Sequence, residues 1–521
     1  MEFSRRGGWF ASGIRAKALL PDFINSITEN SRNLPRYTLA DKTGWLAIKD
    51  KENRARQVFV LPDATIGDTA TEKVIMSGGG ELPEYGNSGT LADWQKNVGA
   101  YCRENSRLLT AVSTVFVGPL LQPLSAESGI IHLFGNSSCG KTTALYAAIS
   151  VMGSPLDMLK TWNSTANALL NFMALYNHCL LALDELSQCD PLHAGQTVYA
   201  WTGGTGRHRA KQDGMLQQST RFQLMGLSTG EMTLGDFLRQ SKHSLKPAAG
   251  QEIRMMDVPA DAGGGHGLFE CLHGLESGAR LSEQLKQASV TTNGTPFRAY
   301  LEQLVKDMNS DPLALREKLC CYMRSFVGNA IPDNSDGQVI RAANRFALIA
   351  AAGELASFYG VTGWPVGDVS WGVEKCFRDW LGQRGTTGKL EVARLLEQVE
   401  AFFALHGESR FVQMDSDDTR GPAKPVINRA GFRRTVQNAI SEVSNYEYFV
   451  FPAAFKEMVN GFDSKWAASE LAERGIIRRG NDRRNSVAQR LPDVGVTKVY
   501  HFPAKKEDVA DGPEGTWETP F

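Results

Sequence analysis

The sequence predicts an α/β fold organised around a largely parallel sheet, and three observations predict it. Between about residues 126 and 260, apolar strand-like runs alternate with helical segments. Within that region the stretch "GNSSCGKT" (135–142) joins one such run directly to one such helix. Beyond about residue 265 the pattern becomes helical, clearest in "VIRAANRFALIAAAGELASFYG".

Taken in order, the first 125 or so residues mix short strand-like runs, "WLAI" and "VFVLP", with turn-rich stretches such as "SGGGELPEYGNSG". Helical periodicity runs from Leu91 to Val117. The alternating region reads "GIIHLF" (strand), "TTALYAAISVMG" (helix), "MLKTW" (strand), "ANALLNFMALY" (helix), "CLLALDE" (strand) and "FQLMGLST" (strand). These signals divide the chain into an N-terminal α+β region (1–125), a core (126–262), a helical lid (263–388), a winged-helix-like domain (389–504) and a disordered polar tail (505–521). The fourth segment opens with "KLEVARLLEQVEAFFALHG" and closes with a helix, a basic turn and a final alternating strand.

With 521 residues and 42% hydrophobic composition, the chain can bury a sizeable core. Its 56 basic and 57 acidic residues leave a net charge of −1, so any nucleic-acid surface must be a local patch. The eight cysteines form no C-x-x-C pair, and Cys320 and Cys321 are adjacent, which suits neither a disulfide nor a zinc site. Free thiols in a reducing cytoplasm follow. The apolar run 108–124 holds two prolines and several hydroxyls and falls short of a membrane span, so a buried helix is expected there.

"GNSSCGKT" fits G-x-x-x-x-G-K-[ST], and its place between a buried strand and a helix is the context that pattern requires. The backbone N–H groups of Gly135, Asn136, Ser137, Ser138, Cys139 and Gly140, with Thr143 beyond them, can curl around a β-phosphate. Lys141 then reaches the β- and γ-phosphates, and Thr142 can ligate Mg²⁺. The ligand is ATP or GTP. In "CLLALDE", Asp184 would hold the Mg²⁺ and Glu185 would polarise an attacking water. A protein that only sensed the nucleotide would need no such base, so this favours hydrolysis. "FQLMGL" ends in Ser228 and Thr229, where ring-type ATPases place a γ-phosphate sensor.

These stretches, together with "GWLAI…RQVFVLPDATIG" (44–67), "TWNSTANAL" (161–169), "GTGRHRAKQDG" (204–214), "AGQEIRMMDVPAD" (249–261) and "VTGWP" (361–365), resemble the helicase-like "domain of unknown function 927" proteins of bacterial mobile elements and prophages. Those resemble, in turn, the replicative helicases of chromosomal cassettes and phage satellites, within the AAA+ class. The likeness is dense from about residue 35 to 385 and looser at the winged-helix end.

The resemblance implies a homo-oligomeric ring, a hexamer or similar, with ATP at subunit interfaces and single-stranded DNA through the centre. It assigns Arg254 the role of an arginine reaching into the neighbouring site. It makes Arg341 or Arg345, one helical turn apart, a second sensor. The glycine-framed basic stretch with Arg207, His208, Arg209 and Lys211 becomes a hairpin projecting into the pore, able to follow a phosphate backbone without reading sequence. A second basic cluster, Arg478, Arg479, Arg483 and Arg484, falls in the expected wing. Relatives often carry a primase-type domain upstream. The sequence shows none here, so a separate primase or replication protein is a candidate partner. The leading expectation is an ATP-driven DNA helicase or translocase of a mobile element or prophage, cytoplasmic and without a membrane partner. Two alternatives stay open: an ATP-gated assembly or phage-defence protein, and an origin-binding initiator without unwinding activity.

Overall fold

The computed structural model describes residues 19, 21–26, 37–50, 52–67, 73–77, 85–205, 209–210, 216–217, 221–240, 253–332, 335–384, 390–414, 426–436, 445–480 and 484–504. The chain forms two compact units, residues 1–387 and 388–521.

In the first unit, β1 (Tyr37–Ala40) pairs in parallel with β5 (Lys73–Met76), and β2 (Gly44–Lys49), β3 (Ala55–Val60) and β4 (Thr65–Ile66) form an antiparallel meander. The central sheet is built from β6 (Gly129–Phe134), β7 (Lys160–Thr161), β8 (Leu180–Asp184), β11 (Met225–Gly230) and β12 (Met255–Pro259). All its pairings are parallel, in the order β12-β6-β11-β8-β7. Both faces are covered by helices, so "GIIHLF" and "LLALD" read as nearly continuous apolar runs. Between β8 and β11, β9 (Arg209–Ala210) and β10 (Leu216–Gln217) make a short antiparallel pair.

The expected helix from Leu91 to Val117 is broken. Arg103 takes an extended ψ of 148° and Glu104 a positive φ of 57°, and a new helix starts at Ser106. That helix, Ser106–Val117, is buried along all twelve residues. The stretch Ser106–Leu124 is long and apolar enough to cross a membrane, yet 83% of it is buried inside this fold. Arg107 is tolerated there because its guanidinium is fully bonded: Nε donates to the Pro259 carbonyl at 3.0 Å, and Nη2 donates to Asp261 O at 3.0 Å and Asp379 Oδ2 at 2.6 Å.

In the segment expected to be helical from about residue 265, helices begin only at Gly278 and run Gly278–Thr291, Thr295–Ser310, Pro312–Ala330, Gly337–Phe358 and Asp368–Arg384. They share one hydrophobic core with the central sheet, extending from Phe59 to Trp380, while Ala40, Ile48, Val58, Val60 and Val74 of the N-terminal strands form a smaller core of their own.

The second unit places helix Leu390–His406 and helices Pro452–Met458 and Ser464–Glu473 beside a five-stranded sheet. Its strands are β13 (Phe411–Gln413), β14 (Gly431–Val436), β15 (Asn445–Val450), β16 (Val487–Leu491) and β17 (Gly495–Phe502), in the order β13-β14-β15-β17-β16. The single final strand expected from the sequence is therefore a hairpin, turned at Pro492–Val494. The tail, 505–521, lies outside the described residues.

Candidate nucleotide site

The glycine-rich loop leaves β6 at Phe134 and enters helix Lys141–Ile149. Gly140 takes φ +101°, a backbone conformation open to glycine, and a Cβ there would lie 3.2 Å from Leu268 Cβ. Lys141 is buried, and its Nζ donates to the carbonyls of Gly135 and Asn136, both at 2.7 Å. Ser137, Ser138 and Cys139 complete the turn, with Ser138 at φ +64°. Thr143 is buried on the helix, facing the core.

The strand order sets β11 between β6 and β8, so three strand ends meet beside this loop. Thr142 Oγ1 donates to Asp184 Oδ2 at 3.2 Å. From the other side, the Thr229 hydroxyl donates to Asp184 Oδ1 and accepts from the Glu185 amide at 3.2 Å. Glu185 has a positive φ of 60°, unusual for a residue with a side chain, and its Oε1 accepts from Ser187 Oγ at 2.5 Å. A hydroxyl and a carboxylate at this separation are hard oxygen donors of the kind Mg²⁺ prefers. Among the described residues no cluster of three or more His, Cys, Asp or Glu side chains could hold a metal by itself.

Ser228 does not join this group. Strand alternation turns it to the opposite face of β11 from Thr229, where it is buried against His132 and Trp162. The sensor expectation thus narrows to Thr229. Arg345 is also corrected: it is buried at the other end of the sheet, donating to the Ile253 carbonyl and to Glu127 Oε2 (2.9 Å). Burial there lowers its pKa. Arg341 is exposed near Arg345, its Nε 3.4 Å from Gly337 O. Arg345 thus packs at the Gly129 end of β6, the end opposite the loop.

Arg254 precedes β12, whose Met255 pairs with Ile130. The loop begins six residues beyond Gly129, so at ~3.3 Å per residue Arg254 is roughly 20 Å from it. Its guanidinium lies 4.8 Å from the centre of the Tyr199 ring. Tyr199 is 40% exposed on helix Pro191–Gly203, which Asp190 caps by accepting from Leu192 and His193 amides.

Of the basic hairpin, Arg209 lies on β9, while Arg207, His208 and Lys211 lie outside the described residues. In the second unit, Arg478, Arg479 and Arg484 are exposed on the connection between helix Ser464–Glu473 and β16. They precede the β16–β17 hairpin instead of lying on it, because the turn that makes that hairpin comes eight residues later, after Arg484. Arg483 lies outside the described residues.

Sequence reasoning missed the segment that closes over the loop. Leu268 N donates to the Cys139 carbonyl at 2.8 Å, and a Cβ on Gly267 (φ +64°) would lie 2.7 Å from that same oxygen. The glycine run "GGGHG" was the visible signal. It also missed His132, a titratable residue inside an otherwise apolar strand.

No curated protein matches the chain in sequence. Among solved structures, the chain is similar to "SCCmec type IV Cch - active helicase", with a TM-score of 0.66 and 16% identity, covering 96% of this chain and 85% of that one. At that identity the likeness is one of fold. A second match, NtrX from Brucella abortus in complex with ADP, has a TM-score of 0.20 and 14% identity over 48% of this chain and 61% of the other, too low to bear on the fold. The family model described as "Domain of unknown function (DUF927)" matches residues 11–221. Over that stretch, which holds the loop, Asp184 and Glu185, the chain's resemblance to the DUF927 family is shown.

Proposed function

We propose that this protein is an ATPase of the AAA+ class that works as a ring, a hexamer or similar, and moves along single-stranded DNA as a helicase or translocase of a mobile element or prophage. The observation that carries the reading is the convergence of Lys141, Thr142, Asp184, Glu185 and Thr229 at the carboxyl ends of three parallel strands. Ligands of open α/β sheets bind in that position. The fold-level likeness to a cassette-chromosome helicase supports the same reading.

In this reading 135–142 is a P-loop. Its backbone amides and the N-terminus of helix Lys141–Ile149 cradle the phosphates. Lys141 exchanges its two carbonyl partners for β- and γ-phosphate oxygens. Thr142 and Asp184 would hold Mg²⁺, which neutralises phosphate charge when bound. Glu185 takes a proton from the attacking water, with Ser187 orienting its carboxylate. Thr229 couples the two acidic residues to β11. Arg254, too far from its own loop, serves the site of the adjacent subunit. The basic stretch of Arg207, His208, Arg209 and Lys211 follows the DNA backbone, and helix Ser464–Glu473 with the β16–β17 hairpin acts as a winged-helix element.

The direct test measures ATP hydrolysis with and without single-stranded DNA, beside Lys141→Ala. Hydrolysis stimulated by the strand and lost in the variant is expected. Equal activity in Lys141→Ala would remove the P-loop assignment.

A further inference from the structure

His132 is the fourth residue of β6, three before the loop, and is completely buried. Its Nδ1 lies 2.9 Å from Ser228 Oγ and its Nε2 3.0 Å from the Met232 carbonyl. Trp162 Nε1 donates to the same Ser228 Oγ at 2.9 Å. Chemistry fixes the direction of this chain, since an indole N–H can only donate and a carbonyl can only accept. The imidazole must therefore carry its proton on Nε2, and the Ser228 hydroxyl, accepting from Trp162, must donate to Nδ1. Burial holds the ring neutral, pushing its pKa down to about 4.

Each member of the chain adjoins a residue of the nucleotide site. Ser228 is next to Thr229, on the opposite face of β11, so gripping Ser228 from behind fixes the strand's rotation about its axis. The Trp162 amide donates to the Asp184 carbonyl at 3.1 Å. Two residues before Met232, the Gly230 carbonyl accepts from Gly135 N at 3.2 Å. One side chain thus ties β6, β11, the end of β7 and the turn after β11 into one frame behind the phosphates.

We propose that His132 is a positioning residue for phosphoryl transfer. Through Ser228 it turns Thr229 toward Asp184 and Glu185, and through Met232 it holds the turn after β11 against the loop. The inference rests on the ATPase reading, and it separates two quantities that simple destabilisation would move together. Lys141, whose ammonium is held by the Gly135 and Asn136 carbonyls, makes no hydrogen bond to the chain, and the loop's contact with it is the single bond from the Gly135 amide to the Gly230 carbonyl. Asp184 and Glu185, which act on the reacting phosphate, depend on the chain through Thr229.

The experiment compares wild type with His132→Leu, His132→Gln and Trp162→Phe, reading equilibrium binding of a fluorescent ATP analogue and steady-state hydrolysis. In His132→Leu, binding should stay within about threefold while kcat falls at least about tenfold, the scale on which sub-ångström to ångström misplacement acts. Glutamine keeps one donor and one acceptor and should recover most of kcat. Trp162→Phe, which removes a donor with little change of shape, should lower kcat severalfold at unchanged affinity and gives the answer even if the leucine variant fails to fold. The inference is overturned if kcat stays within about twofold of wild type in both His132→Leu and Trp162→Phe, if glutamine does no better than leucine, or if affinity falls in parallel with kcat. A wild-type protein that neither binds nor hydrolyses ATP would remove the ATPase reading itself, and this inference with it.

Discussion

Thr142 and Asp184 stand forty-two residues apart in the chain and 3.2 Å apart in the fold, hydroxyl to carboxylate. Thr229 approaches the same carboxylate from the neighbouring strand and receives the Glu185 amide. Asp184 is thereby held by groups on both sides, which leaves Glu185, one residue on, as the acidic side chain available for proton transfer.

Replacing Glu185 by glutamine preserves shape and the Asp184 contacts. ATP should bind with near-normal affinity while hydrolysis falls by roughly 10²-fold, the scale of a lost general base. Single-turnover hydrolysis measures it, and near-normal turnover would place the base elsewhere.

Arg254 should act in trans. Arg254→Ala is expected to bind ATP and hydrolyse it ~10³-fold more slowly, the range of an arginine acting on a neighbour's γ-phosphate. Lys141→Ala has an intact arginine and an empty pocket. Mixing the two inactive variants, under conditions where subunits exchange, should restore part of the ATPase. No recovery would remove Arg254 from the neighbouring site.

Removing the charges of Arg207, Arg209 and Lys211 together should weaken single-strand binding and flatten its dependence on salt, because fewer counterions are released. Basal ATPase should survive and DNA stimulation should disappear. Unchanged salt dependence, measured by fluorescence anisotropy, would move the DNA contact to the second unit.

Stability should fall on mild acidification. His132 and His178 are buried, and desolvation pushes both from 6.5 down to about 4. Between those values the unfolded chain binds protons that the fold does not, so stability declines as pH drops from about 6.5 toward 4 and is flat above. Each imidazole contributes at most about 3 kcal/mol to that loss. Urea titrations at pH 7.5 and 5 measure it, and His132→Gln should lessen the slope. Equal stability at the two pH values would contradict the buried, neutral rings.

The parts of this site legible in sequence are those whose chemistry is local. The loop between "IIHLF" and "TTALYAAI", and the acidic pair closing "LLALDE", need only neighbouring residues to be recognised. Choosing Thr229 over Ser228 needed the strand's facing, which depends on β6 and β8 lying to either side. Arg345 and Arg341 read as equivalent sensor candidates because helical spacing shows only their own helix. The burial of Arg345 is set by Glu127 and Ile253, distant in sequence. The break at 103–105 was hidden for the same reason: Asn105 Oδ1 accepts from the amides of Glu270 (2.8 Å) and Cys271 (3.1 Å), a pairing no local pattern announces.

The measurement closest to the central claim is unwinding of a tailed DNA duplex by the purified protein. The account predicts strand separation that requires ATP, requires a single-stranded tail, and is lost in Lys141→Ala and Glu185→Gln. Robust DNA-stimulated hydrolysis with neither strand separation nor displacement of a protein block from single-stranded DNA would contradict it, leaving a nucleotide-driven assembly that does no work along the strand.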